Sequence, residues 1–262
     1  MNRIDAKFQN LRGRSEKALA VFVTAGFPHA DATPTIVHAL EDGGADIIEL
    51  GMPFSDPLAD GPVIQASSAA ALANGATLES VLEDVRMIRS SSDVPVVLMG
   101  YLNPILSFGE DEFFREAAAA GVDGMILPEV SLEEFARFSD RLRTHDLSGI
   151  LLVTPVTGSE RIKAIDERSS GFLYCVSTTG VTGMPGSSSA GDYLKMVKGH
   201  VRKNPLMVGF GIATPDDAKR LCSSVDGVIV GSAFIRFLAT SPSSEAIGGW
   251  AARFKGALRE KT

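Results

Sequence analysis

GADII at residues 44–48 is the stretch that decides the fold, because variants of it return twice further along the chain. GVDGMI at residues 121–126 and SVDGVI at residues 224–229 share its order of a small residue, an aspartate and an apolar run. Each apolar run is too short for a helix and is typical of a buried strand. A pattern that recurs in this way indicates stacked strand–helix units.

Outward from these stretches, strand-like runs alternate with amphipathic helical segments along the whole chain. The predicted strands cover residues 19–24, 45–50, 94–99, 124–127, 149–153, 172–176, 206–210 and 227–230. The predicted helices cover residues 77–89, 112–120, 132–144, 159–168, 191–200, 214–221 and 245–259, and Thr33 with Pro34 opens one more as cap and first-turn proline.

Eight strands that are each followed by a helix predict a (β/α)₈ TIM barrel, an α/β fold, as a single domain over residues 1–262. We expect an insertion after strand 2. Ile4, Phe8 and Leu11 predict an extra N-terminal helix that plugs the bottom of the barrel. The alternative is an open doubly wound sheet, but its G-x-G-x-x-G fingerprint is missing after the first strand.

The composition restricts the kinds of partner. A formal net charge of −7 argues against nucleic acid and anionic membranes, whereas a small phosphate substrate remains compatible because backbone amides bind phosphate. Cys175 and Cys222 lack the C-x-x-C spacing of a metal or redox site. No signal-peptide core and no apolar run of about 20 residues occurs, so we expect a cytoplasmic protein.

The loop ELGMPFSDPLADGP at residues 49–62 is the strongest candidate for a catalytic site. Glu49 ends a predicted strand, and Asp56 and Asp60 follow on a loop that its three prolines restrict. Carboxylates held in this way suit acid–base chemistry. The alternatives are that Glu49 pairs with an arginine or caps a helix, that Asp60 forms a turn, and that Asp56 is an N-cap or a surface charge.

Two glycine loops predict a phosphate site. Strand seven ends in Gly209, Phe210 and Gly211, and strand eight ends in Gly231 and Ser232. In a barrel these neighbouring loops commonly bind phosphate, and we expect Ser232 to cap the short helix that follows and to donate its hydroxyl. The alternative is that the glycines only form tight turns.

A third glycine-rich loop, at residues 180–189, suggests either a mobile lid over the site or an ordinary insertion. No lysine ends a predicted strand, and the four histidines lack metal-ligand spacing. Schiff-base and metal-dependent aldolase chemistry are therefore disfavoured, which leaves proton transfer by carboxylates. Phe22, Tyr101, Tyr174 and Phe210 lie at or near strand ends and either line an apolar pocket or belong to the core.

Residues 49–65, ELGMPFSDPLADGPVIQ, closely resemble the signature of the tryptophan synthase alpha subunit family. Supporting segments are TAGFP at 24–28, MGYLNPI at 99–105, YCVSTTGVTG at 174–183 and GFGI at 209–212. One departure is PEVS at residues 128–131, where a turn like PDLP is expected; that turn bears on substrate position and partner contact.

The resemblance implies a barrel that cleaves indole-3-glycerol phosphate to indole and glyceraldehyde 3-phosphate without a cofactor of its own. Glu49 would be the acid–base group, and Asp60 would bind the indole N–H and stabilise positive charge on the ring. The other implied substrate contacts are Phe22 and Tyr174 for the indole and Gly183, Gly211, Gly231 and Ser232 for the phosphate. We expect Thr182 to reach Asp60 when the lid closes.

The resemblance also implies a partner, a beta subunit that carries pyridoxal phosphate, in an alpha₂-beta₂ heterotetramer. Two alternatives remain open from the sequence. The first alternative is a regulatory subunit with little activity of its own, and the second is a stand-alone lyase that releases indole. Lyase turnover with and without the beta subunit distinguishes them.

Overall fold

The sheet of the computed structural model, which describes residues 1–176, 190–209 and 211–259, is built from parallel strands only. The strands are β1 Ala18–Thr24, β2 Ile47–Gly51, β3 Val96–Met99, β4 Gly124–Ile126, β5 Ser148–Ile150, β6 Leu152–Val153, β7 Leu173–Val176, β8 Leu206–Gly209 and β9 Gly227–Val230. Their order in the sheet is β5-β4-β3-β2-β1-β9-β8-β7-β6.

The sheet closes on itself through β5 and β6. These strands stand at opposite ends of the sheet order, yet only Leu151 separates them in the chain. The Leu151 carbonyl accepts a hydrogen bond from the Tyr174 amide at 3.0 Å, which continues the ladder across the break. The predicted strand at residues 149–153 is therefore two short strands in one position, and the predicted eight-position TIM barrel is confirmed.

Helices surround the barrel in the predicted alternation. They are α1 Arg3–Gly13, α2 Thr33–Asp42, α3 Pro62–Ala73, α4 Leu78–Arg89, α5 Leu102–Phe108, α6 Glu110–Ala120, α7 Leu132–Thr144, α8 Ser159–Arg168, α9 Ala190–His200, α10 Pro215–Cys222, α11 Ser232–Leu238 and α12 Ser244–Arg259. The insertion after strand 2 contains α3, whose helical form we did not predict because alanine and serine leave no apolar stripe. None of the helices described here combines the length and apolar character that a membrane crossing requires.

The predicted capping role of Thr33 is wrong. Ala32 occupies the cap position of α2, and Thr33 is already helical. The Thr33 hydroxyl instead accepts a hydrogen bond from the Gly26 amide at 3.0 Å. Because Thr33 is fully buried, this contact ties the loop after β1 to the helix and satisfies a backbone donor.

The N-terminal helix α1 plugs the barrel, as predicted. Ile4, Phe8 and Leu11 are buried and belong to the same apolar cluster as inward-facing strand residues. Phe8 lies against Phe172, with ring centroids 6.2 Å apart, just before β7 begins. The plug therefore sits at the end of the barrel where strands start, and the opposite end remains available for a site.

The three aspartates of the recurring sequence pattern make the same contact. Each accepts a hydrogen bond from the amide that starts, or nearly starts, the neighbouring strand. The pairs are Leu19 to Asp46 at 2.9 Å, Val96 to Asp123 at 2.8 Å and Leu206 to Asp226 at 2.8 Å. The repeated aspartate therefore joins two adjacent strands, and we call this hydrogen bond from a strand amide to the aspartate the aspartate clasp.

Each aspartate clasp also contains a cation. Lys255 is 3% exposed and reaches Asp46 at 2.7 Å, Arg89 reaches Asp123 at 2.6 Å, and Lys198 pairs with Asp226. A buried charge needs such a partner because desolvation is expensive. The end of the barrel where the strands start therefore contains three paired carboxylates.

Candidate active site

Glu49 lies in β2 and has no arginine partner or helix to cap among the described residues. The strand register places it beside Phe22 of β1 and Val97 of β3. Its side chain is buried, the residue being 2% exposed, and within the described part of the chain its Oε1 atom has no hydrogen-bond partner. A buried carboxyl oxygen without a partner is costly and is typical of functional sites.

Burial raises the pKa of Glu49 from 4.5 to about 8, and the nearby charge of Asp60 adds to the rise. Both causes disfavour the carboxylate form. Burial therefore favours the protonated form of Glu49 near neutral pH. A group with a pKa in this range can both give and take a proton under physiological conditions.

Asp60 is half-buried in the loop after β2 and is oriented by Tyr101. The Tyr101 hydroxyl donates to Asp60 Oδ2 at 2.9 Å and accepts from the Ala59 amide at 2.9 Å. Burial raises the pKa of Asp60, whereas the hydrogen bond from Tyr101 opposes the rise. Tyr101 therefore supports the ionised form of Asp60.

The acid loop is attached to α3. Ser68 of this helix accepts from the Phe54 amide at 2.8 Å and donates to the Phe54 carbonyl at 2.9 Å. Ser67 forms a hydrogen bond with Thr24 of β1 at 2.7 Å. The insertion after strand 2 thus holds the loop against the barrel. Asp56, in contrast, is exposed, which fits its interpretation as a surface charge.

Two glycines make room for the aromatic residues. A Cβ atom on Gly51 would lie 2.4 Å from the Phe22 ring, and one on Gly209 would lie 2.2 Å from the Tyr174 hydroxyl. Neither distance is tolerable, so both positions need glycine. Gly209, expected at the phosphate loop, thus makes space for Tyr174, whose burial keeps its pKa well above the ordinary value.

One cavity of about 270 Å³ connects the acids with the glycine loops. Glu49 and Asp60 line it together with Phe22 and Tyr174, and Gly211, Gly231 and Ser232 line it as well. Tyr101 lines a smaller cavity of about 20 Å³ that also includes Phe22 and Asp60. The structure therefore brings most of the predicted site residues to one place.

The capping role predicted for Ser232 is wrong. Gly231 is the cap residue of α11, without a side-chain cap, and Ser232 is the first helical residue. Its hydroxyl is therefore not used as a cap. Thr182, Gly183 and Phe210 lie outside the described residues, as does the whole predicted lid at residues 180–189.

The sequence analysis missed Arg236, which also lines the cavity. It lies four residues after Ser232 in α11, and this spacing puts the two side chains on one face of a helix. That spacing was the available signal. Glu129, in the turn that departs from the family pattern, accepts from the Leu102 amide at 2.5 Å and so contacts the residue after Tyr101.

Comparisons with known proteins agree on one family. The family model described as tryptophan synthase alpha chain matches residues 8–252. The tryptophan synthase alpha chain of Geobacter sulfurreducens is 45% identical over 262 residues, covering 99% of this chain and 98% of the relative. Tryptophan synthase subunit alpha from Legionella pneumophila is 38% identical, with a TM-score of 0.86 and 98% of each chain covered. The aminoacrylate-bound tryptophan synthase of M. tuberculosis is 32% identical, with a TM-score of 0.88 over 99% of this chain and 100% of the matched chain.

Proposed function

Because this chain belongs to the tryptophan synthase alpha chain family, lyases of EC 4.2.1.20 that cleave indole-3-glycerol phosphate in tryptophan biosynthesis, we propose that Glu49 and Asp60 carry the cleavage here. The observation that carries this proposal is the buried Glu49 oxygen, which has no hydrogen-bond partner within the described part of the chain and lies in a cavity shared with two glycine loops. The products are indole and glyceraldehyde 3-phosphate.

Glu49 serves as both acid and base in this proposal. Its protonated form gives a proton to indole C3, and the resulting carboxylate takes the proton of the glycerol hydroxyl next to the breaking carbon–carbon bond. The bond electrons return to the indole ring, the hydroxyl carbon becomes an aldehyde, and the proton count balances. A pKa of about 8 supports both transfers near neutral pH.

Asp60 accepts a hydrogen bond from the indole N–H in this proposal. Its negative charge also balances the positive charge that forms on the ring when C3 is protonated. The hydrogen bond from Tyr101 supports this role because it favours the ionised carboxylate. Phe22 and Tyr174 flank the indole in the proposal, and each is given its space by a glycine. Tyr101 thus acts on the substrate through Asp60.

The substrate phosphate binds at Gly211, Gly231 and Ser232 in this proposal, with Gly183 as a further contact. Phe210 is assigned to the apolar pocket, and Thr182 to a hydrogen bond with Asp60. Gly211 has a φ of +71°, a conformation that glycine adopts without strain. With no side chains on the two glycines, their backbone can approach an anion closely. These residues share the cavity with Glu49, so one substrate can reach both.

Family membership implies a beta-subunit partner. We propose an alpha₂-beta₂ tetramer in the cytoplasm, with pyridoxal phosphate held by the partner and no cofactor on this chain. Leu58 supports docking near the acid loop, since its side chain is 92% exposed two residues before Asp60. Indole release that rises on addition of a beta subunit is expected; equal release alone and in complex would favour a stand-alone lyase.

Replacing Glu49 tests the proposed function directly. Glu49→Gln keeps the shape but cannot exchange the proton, so turnover of indole-3-glycerol phosphate should fall by about 10²–10⁴-fold. Asp56→Asn is the matched control, because it removes an exposed carboxylate from the same loop. Near-normal cleavage by Glu49→Gln would contradict the assignment.

Asp60→Asn tests the second carboxylate. The asparagine amide can still accept a hydrogen bond from the indole N–H, but it cannot balance the positive charge on the ring. We therefore expect kcat to fall more than substrate affinity. Steady-state kinetics with the complete chain separates the two quantities. A higher KM at unchanged kcat would reduce Asp60 to a binding residue.

A further inference from the structure

Arg236 is the only lysine, arginine or histidine among the described residues that line the cavity. It lies in α11, and its side chain is exposed at the same cavity that contains Glu49 and Ser232. Nothing in the acid–base chemistry above uses this residue. Its position therefore asks for a separate explanation.

Arg236 lines the same cavity as Gly231 and Ser232. Ser232 and Arg236 are four residues apart, so both lie on one face of α11, and helical side chains lean toward the N-terminus of their helix. No described carboxylate pairs with it. Arg220 in the preceding helix differs, because its guanidinium is bound to Asp217 at 2.7 Å.

The negative charges at the site suggest a role for Arg236. A phosphate ester carries roughly −1.5 to −2 charges at neutral pH, and it must enter a cavity lined by Glu49 and Asp60 on a chain of net charge −7. Each carboxylate that is ionised repels it. A guanidinium offers the opposite charge and a fork of donors that matches phosphate oxygens.

Building on the function proposed above, we propose that Arg236 is a specificity-determining residue that selects the phosphate-bearing substrate over an uncharged analogue. Its charge attracts the phosphate to the loops of Gly211 and Gly231. It makes no contribution to binding of the indole half, which is held among Phe22, Asp60 and Tyr174. Arg236 therefore affects affinity and selectivity, while proton transfer stays with Glu49.

Calorimetry on the complete chain tests this proposal with two probes, glycerol 3-phosphate and indole. Arg236→Gln should weaken glycerol 3-phosphate binding by about 5- to 20-fold, as expected for a partly exposed charge-assisted contact, and should flatten its salt dependence. Indole affinity should stay within about twofold. Arg236→Lys should recover part of the loss, because the charge remains but the fork does not.

Arg253→Gln is the matched control, since it removes the same charge from an exposed position in α12 outside the cavity. Equal losses in the two glutamine variants would assign the effect to net charge and overturn the proposal. Unchanged glycerol 3-phosphate affinity in Arg236→Gln would overturn it too. Failure of the wild-type chain to cleave indole-3-glycerol phosphate would instead refute the function proposed above and leave a phosphate-selective cavity.

Discussion

Asp123 and Glu49 are both buried carboxyl groups in the barrel, and their polar surroundings are opposite. Asp123, at the plugged end, accepts from the Val96 amide and pairs with Arg89 at 2.6 Å and Arg3 at 3.0 Å. Glu49, at the cavity, has an oxygen without a hydrogen-bond partner among the described residues. Burial raises the pKa of both groups; three partners oppose the rise at Asp123, whereas Asp60 adds to it at Glu49.

The difference shows how one residue class serves structure at one end and chemistry at the other. A buried carboxylate with amides and cations around it fastens strands together. A buried carboxyl group without such partners holds its proton more tightly, because burial disfavours the charged form and raises the pKa. The two ends should therefore respond differently to pH and to neutralising substitutions.

The largest expected effect is the pH dependence of stability. Because the folded pKa of Glu49, about 8, exceeds the unfolded value of 4.5, its contribution is fully present below pH 4.5 and is lost as pH rises through 8. The full shift in pKa corresponds to about 5 kcal/mol. Urea unfolding at pH 5 and pH 8 should show the wild type losing more stability than Glu49→Gln, since the variant cannot ionise there.

Asp60 titrates in both proteins, so the comparison of wild type with Glu49→Gln isolates Glu49. Equal pH dependence in the two proteins would show that burial does not raise this pKa. The contrast between the two ends of the barrel would then fail.

A smaller effect is expected at the plugged end. Asp123→Asn leaves Arg89, whose side chain is 10% exposed, without its carboxylate. Breaking a buried pair typically costs about 3–5 kcal/mol; we expect about 2–3 kcal/mol, because Arg3 is 40% exposed and can rehydrate. Urea unfolding at pH 7 measures the loss, and turnover per folded molecule should barely change. A large fall in kcat without loss of stability would contradict the structural role.

The smallest effect concerns the hydroxyl of Tyr101. Tyr101→Phe removes the donor to Asp60 but keeps the ring against Phe54, at a centroid distance of 5.4 Å. The expected loss in kcat is about tenfold, or about 1.4 kcal/mol. The pKa of Asp60 should rise, so the acid limb of the kcat profile should move to higher pH. An unmoved pH profile would assign Tyr101 to packing alone.

The sequence located Glu49 and Asp60 because strand ends and proline-restricted loops are local features. The eight strand positions followed for the same reason, since each apolar run is read within a few residues. The need for small residues at Gly51 and Gly209 could not be predicted, because it depends on an aromatic ring from a neighbouring strand. The insertion helix α3 was missed because its small residues give no periodic signal.

The caps show the same limit on a smaller scale. Thr77 caps α4, and its hydroxyl accepts a hydrogen bond from the Ser80 amide at 3.2 Å. Thr33 has an equally suitable sequence position but is recruited by Gly26 across a loop. A buried polar side chain forms its hydrogen bond with a buried donor that has no other partner. Which donor that is depends on the three-dimensional structure and cannot be predicted from the local sequence.

For protein engineering, the useful property of the aspartate clasps is that they join three pairs of neighbouring strands. β1 with β2, β3 with β4 and β8 with β9 each carry their own fastening at the plugged end. None of the residues that form these clasps is among the described residues lining the cavity. The loops at the cavity can therefore be replaced to bind a new ligand, while the hydrogen bonds that join each strand pair at the plugged end stay unchanged.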